Sequence, residues 1–194
     1  MAELTSLCVY CGSRLGNAPA YRELAQDLGT RLAATGVRLI FGGGRIGLMG
    51  VVADAVLAAG GTAIGVIPQH LSRAEIAHSE LSEICVVDSM HTRKQKMFDL
   101  ADAFAVLPGG LGTLDETIEI LTWKQLGLHD KPIVILNQSD YWQPLEALIQ
   151  HTIATSFTGT GSTRLYSLVS SIDGLFSAIA EAPSPKVAAS SERL

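Results

Sequence analysis

The sequence predicts one α/β domain, a doubly wound, Rossmann-like and mostly parallel sheet with helices on both faces. Three observations predict it. Short apolar runs alternate with helical patterns from residue 6 to residue 180. The runs are continuous rather than alternating, which marks strands buried on both faces, as parallel strands are. Two of the runs lead into glycine-rich turns that open helices, the usual βα junction of such sheets.

Ser6-Leu7-Cys8-Val9-Tyr10-Cys11 reads as a buried strand ending at Gly12-Ser13. Residues 19–34 are helical, with Leu24, Leu28 and Leu32 four apart on one face. Val37-Arg38-Leu39-Ile40-Phe41 is a second strand, running into Gly42-Gly43-Gly44-Arg45-Ile46-Gly47. An Ala- and Val-rich helix follows to Ala59 and is stopped by Gly60-Gly61. Residues 62–67 form a third strand, ended by Pro68, and residues 69–82 are polar and irregular with one helical turn. Residues 84–87 are a short strand and 90–102 a helix. Residues 103–107 are a strand, followed by the turn Pro108-Gly109-Gly110-Leu111-Gly112 and a helical pattern from Leu114 to Leu126. Residues 132–136 are a strand and 141–156 a helix; a strand at 165–169 and a short helix at 172–180 complete the fold. The domain spans residues 1–181, and residues 182–194, small and polar, read as a disordered tail.

The 194 residues suit one sizeable core. Fourteen basic against nineteen acidic residues give a net charge of -5, which argues against a nucleic-acid surface. No apolar stretch is long enough to span a bilayer and no segment reads as a secretory leader, so the expectation is a cytoplasmic protein with no membrane partner. Cys8-x-x-Cys11 has redox or zinc spacing, but Cys8 falls within a strand and no second cysteine pair completes a metal site. No metal and no cofactor is expected.

Gly42-Gly43-Gly44-Arg45-Ile46-Gly47 matches the dinucleotide fingerprint formally. The next strand ends in Pro68-Gln69 without the acid that would hold ribose hydroxyls, and the turn follows the second strand. Gly42, Gly43, Gly44 and Gly47, with Met49, therefore read as a secondary glycine turn with a structural or single-nucleotide role. In the next helix Met90, Met97 and Ala101 form an apolar stripe, and Arg93 falls on it. An inward arginine needs an anionic partner, because an unpaired buried charge is very costly. Lys96 reads as a surface residue.

The turn at 108–113 carries two competing readings. Thr113-Leu114-Asp115-Glu116 has the Thr-x-x-Glu form of a capping box, with Glu116 returning to the Thr113 N–H. Alternatively the glycines let backbone N–H groups approach a phosphate closely while Glu116 faces the sugar. Capping does not need three preceding glycines, and the second glycine turn and the inward Arg93 favour a ligand site.

Taken together, the stretches 42–50, 90–94 and 108–116, with Val9-Tyr10-Cys11-Gly12-Ser13 and Leu121-Thr122-Trp123, resemble the Lonely Guy family over residues 7–156. The resemblance implies a hydrolase of adenine-type nucleoside 5'-monophosphates, cytokinin riboside monophosphates and AMP, that releases free base and ribose 5-phosphate. It implies Arg93 and Glu116 as the catalytic pair and Gly110, Leu111, Gly112 and Thr113 as the phosphate turn. It implies substrate contacts from Glu75, Lys94, Leu114, Asp115 and Thr122, with Asp115 standing where the family usually has glutamate. A homodimer with the site near the subunit boundary is also implied. A non-catalytic nucleotide or cofactor carrier of the same fold is the alternative, and an NAD-dependent oxidoreductase is disfavoured by the missing acid.

Overall fold

The computed structural model describes residues 4–72 and 78–183. Seven strands form one all-parallel sheet in the order β4-β3-β2-β1-β5-β6-β7. They are β1 (Ser6–Tyr10), β2 (Arg38–Phe41), β3 (Ala63–Pro68), β4 (Glu83–Val87), β5 (Ala103–Val106), β6 (Ile133–Leu136) and β7 (Ser167–Val169). The helices are α1 (Pro19–Ala34), α2 (Gly47–Ala58), α3 (Gln69–Ser72), α4 (Met90–Leu100), α5 (Leu111–Gln125), α6 (Gln143–Ala154) and α7 (Ile172–Glu181).

The continuous apolar runs of β1, β3, β5 and β6 are buried at every position, because both faces of the sheet are covered. One face packs Leu7 and Val9 under α1, α2 and α7, with Leu28, Val52 and Leu175 fully buried. The other packs Cys8 and Tyr10 under α4, α5 and α6, with Met97, Ile120 and Leu145 buried. α1 and α2 approach closely at Gly29, where a Cβ would stand 2.5 Å from the Val52 carbonyl oxygen. At the opposite end of β1, Asp102 Oδ2 accepts hydrogen bonds from the N–H groups of Thr5 and Ser6, both at 2.9 Å.

The chain winds outward from β1 to β4, then returns to the other side of β1 with β5. That reversal is the topological switch point, and the C-terminal ends of β1 and β5 flank a crevice there.

Several expected boundaries move. α5 begins at Leu111 with Gly110 as N-cap, so the helix starts before the residues that resemble a capping box. α6 begins at Gln143, because Ser139 and Asp140 take positive φ and break the backbone immediately before Tyr141. β7 is confined to Ser167–Val169, and a 3₁₀ turn occupies Thr160–Arg164 before it. The single helical turn expected in 69–82 is α3, while residues 73–77 and most of the expected tail, 184–194, lie outside the described residues.

Candidate active site

α4 and α5 each follow a sheet strand and deliver one charged group to the same place. Ser89 caps α4 by accepting from the Thr92 N–H at 3.1 Å, which fixes the helix start and turns Arg93 inward. Met97 and Ala101 are buried on the same face as Arg93, as their spacing predicts. Met90, at the first position of the helix, is exposed instead.

Arg93 Nη1 donates to Glu116 Oε1 at 2.7 Å, and both residues are 8% exposed. Arg93 Nε also donates to the Val66 carbonyl at 3.2 Å, tying the guanidinium to β3. Glu116 is therefore the partner an inward arginine requires. The capping-box geometry is absent: Thr113 lies inside α5, and its carbonyl accepts from the Thr117 hydroxyl. Glu116 Oε2 accepts no hydrogen bond from any described residue, so one oxygen is braced and the other is available. Burial raises the Glu116 carboxyl above its ordinary value, Arg93 pulls it down, and Asp115 adds a smaller upward push.

The glycine turn supplies donors rather than charge. Gly110 has no side-chain cap, and the first N–H groups of α5 have no acceptor among the described residues. A Cβ at Gly110 or Gly112 would meet nothing within 4 Å, so both face open space. Leu111 is 85% exposed, Thr113 is buried, and Leu114 packs at the edge of the core. The α5 macrodipole adds positive potential where these N–H groups converge.

A crevice of about 850 Å³ opens on this turn, lined by Gly12, Ser13, Arg14 and Asn17 from the β1 side and by Pro108, Gly109 and Gly110 from the β5 side. Tyr21 and Tyr141 close it laterally. Arg93 and Glu116 do not line it, whereas Gly109 and Gly110 do. Of the crevice residues, Arg14, Asn17, Tyr21 and Tyr141 were not singled out from the sequence. A Gly-Ser turn after the first strand was the one available signal.

The secondary glycine turn braces the pair. Gly42 leaves room for Arg93, since a Cβ there would overlap Nη2 and stand 3.2 Å from the Met49 Sδ. Gly43 and Gly47 have φ of 73° and 65°, conformations that glycine adopts freely. Gly47 also packs against the Ser13–Arg14 backbone, joining this turn to the crevice loop. Gly44 is buried in the same turn. Gly42, Gly43 and Gly47 thus stand where close packing leaves little room for a side chain.

Lys94 bridges Asp115 at 3.2 Å and Glu119 at 3.1 Å. Burial pushes its ammonium down, but the two carboxylates more than offset this, and the net shift is upward. It is held as a cation, not poised as an amine nucleophile. Thr122 stands on the exposed face of α5, about 9 Å along the axis from Glu116 at the helical rise, with its hydroxyl on the Ile118 carbonyl. Glu75 lies outside the described residues. Cys8 and Cys11 belong to opposite faces of the sheet and are free thiols, raised by burial, so the Cys-x-x-Cys spacing builds no pair.

Fold and site together define a Rossmann-like α/β protein with an uncapped helix start beside a buried arginine–carboxylate pair. A family model described as "Possible lysine decarboxylase" matches residues 49–179, which include α4, the glycine turn and α5. A cytokinin riboside 5'-monophosphate phosphoribohydrolase from Rhodococcoides fascians is 43% identical over 175 residues, covering 90% of this chain and 88% of that protein. One from Arabidopsis thaliana is 44% identical over 151 residues, covering 78% of this chain and 71% of that protein. The chain belongs to the Lonely Guy family. Among solved structures, a molybdenum cofactor binding protein from Rippkaea orientalis superposes with a TM-score of 0.69 at 22% identity, covering 93% of this chain and 98% of that one. At that identity the likeness is one of fold.

Proposed function

We propose that this protein hydrolyses the N-glycosidic bond of adenine-type nucleoside 5'-monophosphates, including N6-modified ones, to free base and ribose 5-phosphate. The observation that carries the proposal is the buried Arg93–Glu116 pair directly behind the uncapped start of α5, in a chain 43% identical to a named phosphoribohydrolase.

The chemistry follows from the residue types. The substrate phosphate sits on the N–H groups of Gly110 to Thr113, which orients the ribose and supplies remote binding energy. Lys94, already cationic, offsets Asp115 and Glu119 near that dianion. As the bond from the anomeric carbon to the base nitrogen breaks, positive charge grows on the sugar. The carboxylate of Glu116 stabilises it. Water adds to the anomeric carbon, and Glu116 accepts its proton, a task suited to a carboxylate raised by burial. That proton passes to the departing base, so base and ribose 5-phosphate leave with the elements of one water added. Arg93 holds Glu116 and stabilises negative charge on the leaving base without itself losing a proton.

The same reading includes a homodimer with the site near its boundary. An apolar face on α5, with Leu111, Ile118 and Leu126 exposed, supports it. It places Thr122, on that face, at the boundary rather than beside the ion pair. Three free thiols suit a reducing cytoplasm, and no described helix is long and apolar enough to cross a membrane.

The test is base release from AMP and from N6-isopentenyladenosine 5'-monophosphate, measured side by side. Turnover of either supports the hydrolase. Saturable binding of both with no free base would replace it with the carrier reading.

A further inference from the structure

We propose that Tyr141 is a positioning residue for the phosphate turn, acting through the Gly109–Gly110 peptide. The inference rests on the phosphoribohydrolase reading and adds to it a residue from a different part of the chain.

The Tyr141 hydroxyl donates to the Gly109 carbonyl at 2.6 Å, across 32 residues of sequence. Carbonyl and N–H of one trans peptide point in opposite directions in a common plane. Holding the Gly109 oxygen therefore fixes where the Gly110 N–H points, and Gly110 is the N-cap of α5 with open space in front of it. A glycine pair would otherwise let this peptide rotate freely. The Tyr141 ring is itself set edge-on against Tyr21 at 5.3 Å, and Tyr21 packs under Gly16 in the loop after β1. One aromatic thus touches both walls of the crevice.

The loop that delivers Tyr141 is strained for its own sake. Ser139 and Asp140 have φ of 53° and 57°, a region non-glycine residues seldom occupy. Gln138 Oε1 and Trp142 Nε1 are buried without hydrogen-bond partners among the described residues. Asn137 Oδ1 steadies the loop by accepting from the Trp142 N–H at 2.7 Å. Four irregularities in five residues surround the side chain by which this loop reaches the glycine turn.

Tyr141→Phe keeps the ring and its contact with Tyr21 and removes the hydroxyl alone. Calorimetric titration of the full chain with AMP and with adenosine reads the effect. AMP should bind about fivefold more weakly, the net worth of one hydrogen bond, while adenosine affinity stays at the wild-type value. Where turnover is followed, KM for the monophosphate rises by the same factor and kcat holds. Unchanged AMP affinity overturns the inference, and so does an equal loss for AMP and adenosine. If Tyr141→Phe gives no cooperative melt, Asn137→Ala serves instead, since it frees the loop with the phenol retained; the same selective loss is expected, and a uniform one is again contrary. Binding does not require turnover. A wild type that binds AMP without releasing base defeats the hydrolase reading while this measurement still decides the role of Tyr141.

Discussion

Arg93 and Glu116 come from successive helices on one face of the sheet and meet at 2.7 Å, both almost wholly buried. A buried ion pair contributes little net stability, because desolvation offsets most of the attraction. Its place beside the α5 N-terminus suits the proposed chemistry. Glu116→Gln keeps a carbonyl for Arg93 and removes the charge and the proton acceptor. Base release should fall by about 100- to 1000-fold, with AMP affinity and the melting transition near wild type. Loss of folding instead would return Glu116 to a structural role.

Gly42 offers a test of the bracing without touching either partner. A Cβ at this position overlaps Arg93 Nη2, and the Met49 sulfur 3.2 Å away closes the other exit. Gly42→Ala should turn the guanidinium away from Glu116, costing about 1–3 kcal/mol of stability as overpacking does and lowering base release well beyond that loss. Activity equal to wild type in a folded Gly42→Ala protein would show that the guanidinium is free to move.

The sheet was legible because its strands are continuous apolar runs, and Arg93 because Met97 and Ala101 share its helical face. Glu116 was not resolved by its own segment. Thr113-x-x-Glu116 imitates a helix start, whereas the real N-cap, Gly110, has no side chain to announce itself. The partner that settles its geometry lies 23 residues back, and local pattern carries no such information. Tyr141 escaped for a similar reason: nothing in Gln138-Ser139-Asp140 marks two residues of positive φ, and its bond to Gly109 exists only after β6 joins β5.

Asp102 provides a stability control remote from the site. Burial pushes its carboxyl up, but donors from Thr5 and Ser6 win, so the folded value lies below 3.8. A depressed carboxyl stabilises the fold above its unfolded pKa, and the contribution disappears as pH falls through the folded value. Asp102→Asn should cost about 1 kcal/mol near neutrality, reduced by solvent screening. The gap from wild type in denaturant melts should narrow below pH 3.8. A constant gap at all pH values would assign the effect to packing.

The exposed α5 face predicts an assembly. Leu111, Ile118 and Leu126 are 85%, 45% and 68% exposed, an arrangement seldom left facing water on one helix. Sedimentation of the wild type should give twice the 20.5 kDa chain mass. The pair Ile118→Glu and Leu126→Glu should restore the single-chain mass without unfolding the domain, since neither residue belongs to the buried core. A wild type that sediments as one chain would end the dimer reading.

Asp115 sets the direction of a pH effect on the reaction itself. Its charge raises the Glu116 carboxyl, and Lys94, which it shares with Glu119, lowers it. Asp115→Asn removes the upward push and leaves Lys94 held by Glu119, so the Glu116 pKa moves down. In the proposed mechanism Glu116 acts ionised, so activity rises as pH climbs through that pKa. The acid limb of kcat/KM, which reports the free enzyme, should therefore shift to lower pH in Asp115→Asn. A shift upward, or none with kcat/KM still controlled by an acidic group, would mean that another carboxyl governs the limb.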